Sequence, residues 1–221
     1  MNRSLYVGKL VAGLVIGFVI AKNIGTNTPV STGPGVAIQS PTVYDETDTY
    51  SVRATYPQFG IPAIDATIKK SVDDAIAQFK QDAAGPLMTS AKNEFISIFD
   101  SAYIGSDIVS AKLIYSEYTG GAHPNSIIVG LNFDRTTGKA LSLEDALTLI
   151  DQSLEDVAAK SKEVLKTELH DGFQFPEGTD PKPENYSAFT VSAEKVTFAF
   201  QAYQVAAYAA GPQEVSFERK K

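Results

Sequence analysis

Cysteine is absent from the 221 residues, and histidine occurs only twice, at His123 and His170. The first absence removes disulfides, thiolate metal ligands and a cysteine nucleophile together. The second leaves a protein-only zinc site dependent on two distant histidines and scattered carboxylates, and their spacing does not recommend one. No G-x-S-x-G elbow, P-loop, H-E-x-x-H or paired zinc-ligand spacing occurs. Neither a metal nor another cofactor is expected. Basic residues are also short: 19 Lys and Arg face 26 Asp and Glu, a formal charge of −7. A surface of that sign repels phosphate backbones and favours cationic partners, so no nucleic-acid partner is expected.

Charge is missing altogether from Leu10 to Ala21, an apolar run preceded by Arg3 and Lys9 and followed by Lys22. Taken as residues 5–24, it approaches the roughly 20 residues that a membrane helix needs. Basic residues at the front leave the N-terminus in the cytoplasm and the body outside. Residues 1–24 are therefore expected to be a signal anchor in the cytoplasmic membrane, or a signal peptide if cleaved near Val19-Ile20-Ala21. Beyond residue 24 the balance is 16 basic to 26 acidic side chains, or −10. Residues 25–43, rich in Gly, Pro, Ser and Thr, read as a flexible linker. The acids Asp45, Glu46 and Asp48 read as a solvated approach to the first strand.

The remainder predicts an α+β fold: an antiparallel β-sheet packed against two main helices, 62–82 and 153–170. Tyr50, Val52, Ala54 and Tyr56 share one face of a strand over 49–56. Ile61, Ile64, Ile68, Val72, Ala75, Ile76 and Phe79 then recur at spacings of three and four behind Pro62, which makes a helix stripe. Strands are expected over 94–104, 107–118 and 126–133, the first two joined by a tight turn at Gly105-Ser106. The chain is expected to run as an antiparallel meander. Ser142 with Asp145 forms a capping-box start, and Ser153 can cap the second long helix. Leu154, Val157, Ala158, Ser161, Leu165 and Leu169 mark its inner stripe, with Gly172 closing it. Asp156 with Lys160, and Glu163 with Lys166, are expected surface pairs, and His170 falls where an imidazolium suits the helix dipole. Asn185-Tyr186-Ser187 matches a glycosylation acceptor. Further strands are expected at 189–191, 196–200 and 214–217.

The sequence is organised around Tyr118-Thr119-Gly120-Gly121-Ala122-His123-Pro124-Asn125, a connection between two strand-like runs. Gly120 and Gly121 permit positive φ, and Pro124 withholds a donor. Tyr118, His123 and Tyr208 form a cluster if this turn meets the Gly-containing segment Tyr203–Pro212. Such a histidine between hydroxyls either fixes a loop or acts as an acid/base. The loop 171–185 carries Phe173 and Phe175, which either plug the core edge or form an exposed patch.

Three segments together carry a resemblance. They are the T-G-G-A-H turn at Thr119 to His123, the N-F-D-x-x-T-G-K-x-L-x-L-x-D stretch from Asn132 to Asp145, and the Tyr-x-x-Ala-x-Tyr-Ala-Ala-Gly-Pro segment from Tyr203 to Pro212. In this order they resemble the extracytoplasmic DUF3298/DUF4163 family, of the RsiV-like and PdaC N-terminal-like kind, over residues 45–218. The resemblance divides the body into a DUF4163-like half, 44–118, and a DUF3298-like half, 119–218, in one compact ectodomain. Family members often carry Gly after the histidine and Pro before the second tyrosine, where this chain has Pro124 and Ala207. With about nine residues ahead of the apolar run and the sequence ending at Lys221, neither an RsiV-like grip on a sigma factor nor a PdaC-like deacetylase domain is expected. The resemblance thus implies a sensing or binding module in the cell envelope, recognising a lysozyme-like cationic protein or peptidoglycan, and the charge independently favours the former. The alternatives are an enzyme acting on cell-wall glycan through His123, and a structural envelope domain. The candidate contact residues are Tyr118, Gly120, Gly121, His123, Asn125, Phe173, Phe175, Tyr203, Tyr208 and Gly211.

Overall fold

The computed structural model describes residues 30–32 and 37–220. The expected anchor, residues 1–24, and much of the expected linker lie outside the described residues. Among the described residues no helix is long and apolar enough to cross a membrane. The architecture is α+β, with a first sheet and helix, then two further helices and a second sheet. In chain order come β1 (Val30–Thr32), β2 (Thr42–Glu46), β3 (Tyr50–Thr55), α1 (Pro62–Asp82), β4 (Asn93–Ile104), β5 (Ile108–Tyr118) and β6 (Asn125–Asp134). They are followed by α2 (Leu143–Ile150), α3 (Leu154–Leu169), β7 (Phe189–Val191), β8 (Lys195–Phe200) and β9 (Gln213–Glu218).

Two features correct the expected single antiparallel meander. The first sheet, ordered β2-β3-β4-β5-β6, is mixed: β3 and β1 both run parallel to β4. The reason is α1, which carries the chain back across the sheet so that β4 starts at the same end as β3. The second feature is that β7, β8 and β9 form a separate three-stranded antiparallel sheet. Each of the two predicted helices therefore serves its own sheet. The acids 45–48 also belong to more than a solvated approach, because Asp45 and Glu46 end strand β2. Asp45 accepts hydrogen bonds from Lys80 at 2.5 Å and from the Tyr50 hydroxyl at 3.1 Å, and these partners hold its carboxyl below the usual range.

The first core lies between α1 and the first sheet. Pro62 sits at the start of α1, and the Asp65 carboxylate accepts the Phe59 N–H at 2.7 Å just before it. Ile64, Ile68, Val72, Ile76 and Phe79 are buried, as their spacing requires. Burying each such side chain stabilises the fold by about 1.5–3 kcal/mol. Tyr50, Phe79, Phe95 and Tyr115 continue the contact as a chain of rings, with centroids 6.0, 5.6 and 5.8 Å apart.

The second core lies between the second sheet and helices α2 and α3. Tyr186 is fully buried there, with the rings of Phe198 and Phe200 both edge-on at 5.5 Å. Its hydroxyl donates to the Thr179 carbonyl at 2.8 Å, and burial pushes its pKa up to about 12. The expected glycosylation acceptor is thereby engaged internally: Asn185 donates to the carbonyls of Glu177 and Asp180, both at 3.1 Å. Residue 172 does not close α3 either. His170 itself leaves the helical region at φ 50, and a 3-10 turn over His170–Gly172 comes next. The surface pairs also differ, because Asp156 accepts the capping Ser153 hydroxyl at 2.7 Å while Lys160 reaches Glu163 at 3.0 Å.

The two sheets are joined by buried polar groups and one close backbone approach. Ser110 on β5 donates to the Asn132 carbonyl oxygen on β6 at 2.6 Å and accepts the Val191 N–H at 3.0 Å. The Asn132 amide donates to the Phe189 carbonyl at 2.8 Å. Gly130 packs so tightly that a Cβ there would lie 1.8 Å from the Phe189 carbonyl oxygen. Ala199 adds an apolar contact to Ile128 and Ile114. Lys112 pairs with Asp100 and Glu214, reaching the second sheet. Burial opposes its charge, but the two carboxylates more than offset this and hold its pKa above the ordinary value.

The capping box at α2 is complete. Ser142 accepts the Asp145 N–H at 3.1 Å, and Asp145 accepts the Ser142 N–H at 2.8 Å and its hydroxyl at 2.9 Å. These donors hold the Asp145 carboxyl below its ordinary value. A depressed carboxylate contributes stability above the unfolded pKa, near 3.9, and loses it as pH falls through the folded value. Ser142→Ala is expected to cost about 1 kcal/mol at pH 7 in urea unfolding. The difference from the parent should shrink as pH falls below the unfolded value and through the lower folded one, where Asp145 becomes protonated.

Candidate functional site

The β5–β6 connection and the segment between β8 and β9 meet at one end of the molecule. Gly120 and Gly121 adopt φ 102 and 123, a region closed to most side chains. A Cβ on Gly120 would also lie 2.7 Å from that of Met88, so the turn rests against the α1–β4 loop. Tyr118, half-buried at the end of β5, directs its hydroxyl to the Gly121 carbonyl at 3.4 Å. Pro124 has no N–H, but its carbonyl serves as a shared acceptor for the side chains around it.

His123 is exposed and stacks on Tyr208, with ring centroids 3.7 Å apart and planes 16° from parallel. The Pro124 carbonyl lies 2.9 Å from His123 Nδ1 and 2.9 Å from the Tyr208 hydroxyl. A carbonyl only accepts, so Nδ1 and the phenol both donate to it. The other nitrogen, Nε2, is 3.5 Å from the Tyr203 hydroxyl. Tyr203 completes a group of three rings, 5.5 Å from Tyr208 and 6.4 Å from His123, and is 56% exposed. It holds φ 68, a left-handed conformation that costs a tyrosine on the order of 1–3 kcal/mol.

Two glutamines fix that conformation. The Gln201 amide pairs with the backbone of Ile128 at 2.8 and 2.9 Å. Gln204 accepts the Gln201 N–H at 2.8 Å and donates to the carbonyls of Gly178 and Asn185, both at 3.0 Å. Gly178 approaches the Gln204 backbone as closely as Gly130 approaches Phe189. A short 3-10 turn, Tyr208–Ala210, then ends at Gly211 with φ 70. The segment is therefore clamped between β6 and the loop 171–185.

The structure brings Tyr118, Gly120, Gly121, His123, Tyr203 and Tyr208 to one exposed end, and Gly211 closes the turn that carries Tyr208. Asn125 opens β6 opposite Glu117 and lies beside the ring group. Phe173 and Phe175 do not join the rings. Phe173 packs on the second core and Phe175 is half-buried, with its N–H bonded to the Val205 carbonyl at 3.1 Å. Sequence reasoning missed Gln201, Gln204 and Met88, whose partners lie far away in the chain. A glutamine carries no sequence mark of the backbone groups it will meet.

The electrostatic setting is acidic. The clamping loop carries Asp171, Glu177, Asp180 and Glu184 against Lys182, which pairs with Asp180 at 3.1 Å. Beneath the turn, burial pushes the Glu117 carboxyl up and the neighbouring charge of Asp82 adds to it. Among the described residues no carboxylate hydrogen-bonds His123, and no group of His, Asp and Glu could hold a metal ion. The rings lie on a segment that the acidic loop 171–185 clamps through Gln204 and Val205.

Two family models match the chain, each covering one of the segments that meet here. That of "Deacetylase PdaC" matches residues 43–126, and that of DUF3298, "Protein of unknown function", matches residues 141–220. His123 falls in the first match, and Tyr203 and Tyr208 fall in the second. Residues 141–220 belong to the DUF3298 family. A curated relative, the peptidoglycan-N-acetylmuramic acid deacetylase PdaC of Bacillus subtilis, is 24% identical over 187 residues. That match covers 82% of this chain but 40% of the relative, so the chain spans less than half of that enzyme. Two solved DUF3298 structures share the fold at 17% identity. That from Pseudomonas aeruginosa has a TM-score of 0.56 and covers 84% of this chain and 94% of its own. That from Bacteroides fragilis has a TM-score of 0.50 and covers 83% and 90%.

Proposed function

We propose that this DUF3298 protein is a non-catalytic recognition module of the bacterial cell envelope, held outside the cytoplasmic membrane, and that it binds a lysozyme-like cationic protein. The observation that carries the reading is the group of exposed His123 and Tyr203 with half-buried Tyr208, on a segment clamped by the acidic loop 171–185. Aromatic faces attract a lysine or arginine side chain by about 0.5–2 kcal/mol each, and the clamping loop supplies the long-range attraction. Residues held in a strained, over-determined conformation, as Tyr203 is, concentrate at binding surfaces. The relationship to a peptidoglycan deacetylase supports the envelope setting.

The test is binding of the protein to hen-type lysozyme at low and at physiological salt. Saturable binding that persists at physiological salt is expected, and Tyr208→Ala should weaken it by about 10- to 100-fold. Tyr208→Phe, which keeps the ring and loses only the bond to Pro124, should weaken it less. Binding that disappears with modest salt would reduce the interaction to charge attraction. Absence of binding at either salt would sink the proposal and turn the search to peptidoglycan fragments.

A further inference from the structure

The first sheet has a second face, which the described residues leave partly open. On β3, Val52 and Ala54 are buried toward α1, so Ser51 and Arg53 look the other way. On β4, Phe95 is in the core and Glu94 and Ile96 alternate outward; on β2, Asp45 reaches Lys80 of α1 and leaves Tyr44 and Glu46 on the outer face. The register aligns these residues. Tyr44, Arg53, Ile96 and Ser116 make one row across the strands, and Glu46, Ser51, Glu94 and Tyr118 make the next. Among the described residues the second sheet meets this face at β5 and β6, through Ser110, Gly130 and Asn132, and approaches Tyr103 at the far end of β4. What remains is a groove of about 470 Å³ floored by Tyr44, Glu46, Ser51, Arg53, Glu94 and Ile96. Its rows span four strands, about 14 Å.

The chemistry of this floor differs from that of the molecule as a whole. Glu46 is paired with Lys92 at 2.7 Å, and Arg53 offsets Glu94, so the groove is formally balanced on a body with a large acidic surplus. Tyr44 is 73% exposed and belongs to no core. A neutral floor gives a cationic protein no electrostatic advantage. It does combine an aromatic plate and an isoleucine with donors and acceptors of both kinds, in a shallow open channel. Those features suit an uncharged ligand whose rings have apolar faces and polar edges. We infer that the outer face of β2–β5 binds a neutral oligosaccharide, with Tyr44 stacking on a sugar ring and Arg53, Glu94 and Ser51 hydrogen-bonding its hydroxyl or acetamido groups. The groove is separate from the His123–Tyr208–Tyr203 group, and the assignment stands whether or not that group binds a protein.

The experiment is a calorimetric titration of the full chain, kept in mild detergent, with the hexamer of N-acetylglucosamine and with a glucose hexamer. Saturable binding of at least one hexamer is expected, little changed by salt. Tyr44→Ala and Arg53→Ala should each weaken it by about tenfold, while Tyr208→Ala leaves it unchanged. Both substituted groove residues are exposed, so the variants should keep the parent circular-dichroism spectrum and melting temperature. No saturable binding of either hexamer would overturn the assignment. So would binding that Tyr208→Ala abolishes and Tyr44→Ala does not, since the sugar would then sit on the turn group.

Discussion

Asn132→Ala is expected to remove about 2–5 kcal/mol of stability, one of the two largest losses expected from a single substitution in this chain. The Asn132 side chain is buried and spends both of its functions between the sheets. Its carbonyl oxygen takes the Ser110 hydroxyl at 2.6 Å, and its amide reaches the Phe189 carbonyl at 2.8 Å. Alanine leaves the Phe189 carbonyl without that donor and the Ser110 hydroxyl, which keeps the Val191 N–H, without its acceptor, and an unmade buried bond costs the desolvation of the group. Ser110→Ala should cost about 1–3 kcal/mol: it leaves the Asn132 carbonyl oxygen and the Val191 N–H without their partner, while Asn132 keeps its bond to Phe189. Urea unfolding of the two single variants and the double variant checks this. Strong coupling in the double-mutant cycle is expected, and additive losses would show that the groups act independently.

Gly130→Ala is the second, with an expected loss of about 3 kcal/mol or more. The added Cβ would lie 1.8 Å from the Phe189 carbonyl oxygen and 2.7 Å from its carbonyl carbon. Both are backbone atoms, so no flexible side-chain end can yield, and β7 must move away from β6. That movement lengthens the Asn132–Phe189 bond as well, so the cost combines a steric and a polar part. The loss should therefore be sub-additive with Asn132→Ala. Amide exchange resolves where it falls: β7 to β9 should lose protection more than α1 and β3 do. Equal loss throughout would mean that the two sheets unfold as one unit.

The sequence reading located what depends on local chemistry. The α1 stripe from Ile64 to Phe79, the Ser142–Asp145 box and the Ser153 cap are short-range features, and each stands as the spacing indicated. Strand direction was not legible, because Val52 and Ala54 alternate inward in the same way whether β4 pairs with them parallel or antiparallel. The division into two sheets was hidden too. Gly130 sits within an apolar run, and only the approach of Phe189, 59 positions later in the numbering, explains the glycine. At the candidate site, the meeting of His123 with Tyr208 came from two glycine-containing segments that needed a common destination. Tyr118, expected to cluster with His123 and Tyr208, instead directs its hydroxyl to the Gly121 carbonyl, and Tyr203 takes the third place. The glutamines that hold the segment were invisible because their partners are main-chain atoms. Phe173 and Phe175 were ambiguous for a related reason: a loop has no periodicity to tell which way a ring turns.

The ring stack spans the two family-matched segments, and Tyr208 is 84 positions from the Pro124 carbonyl it binds. Neither segment can display the surface alone. A ligand that occupies it therefore has affinity for the assembled protein and none for a form in which the second sheet has swung away. By mass action, occupancy at about 100 times the dissociation constant would add about 2.7 kcal/mol against that opening. A ligand at this end would act as a clasp, and resistance to proteolysis in the segment 201–212 would report how much of the protein is occupied.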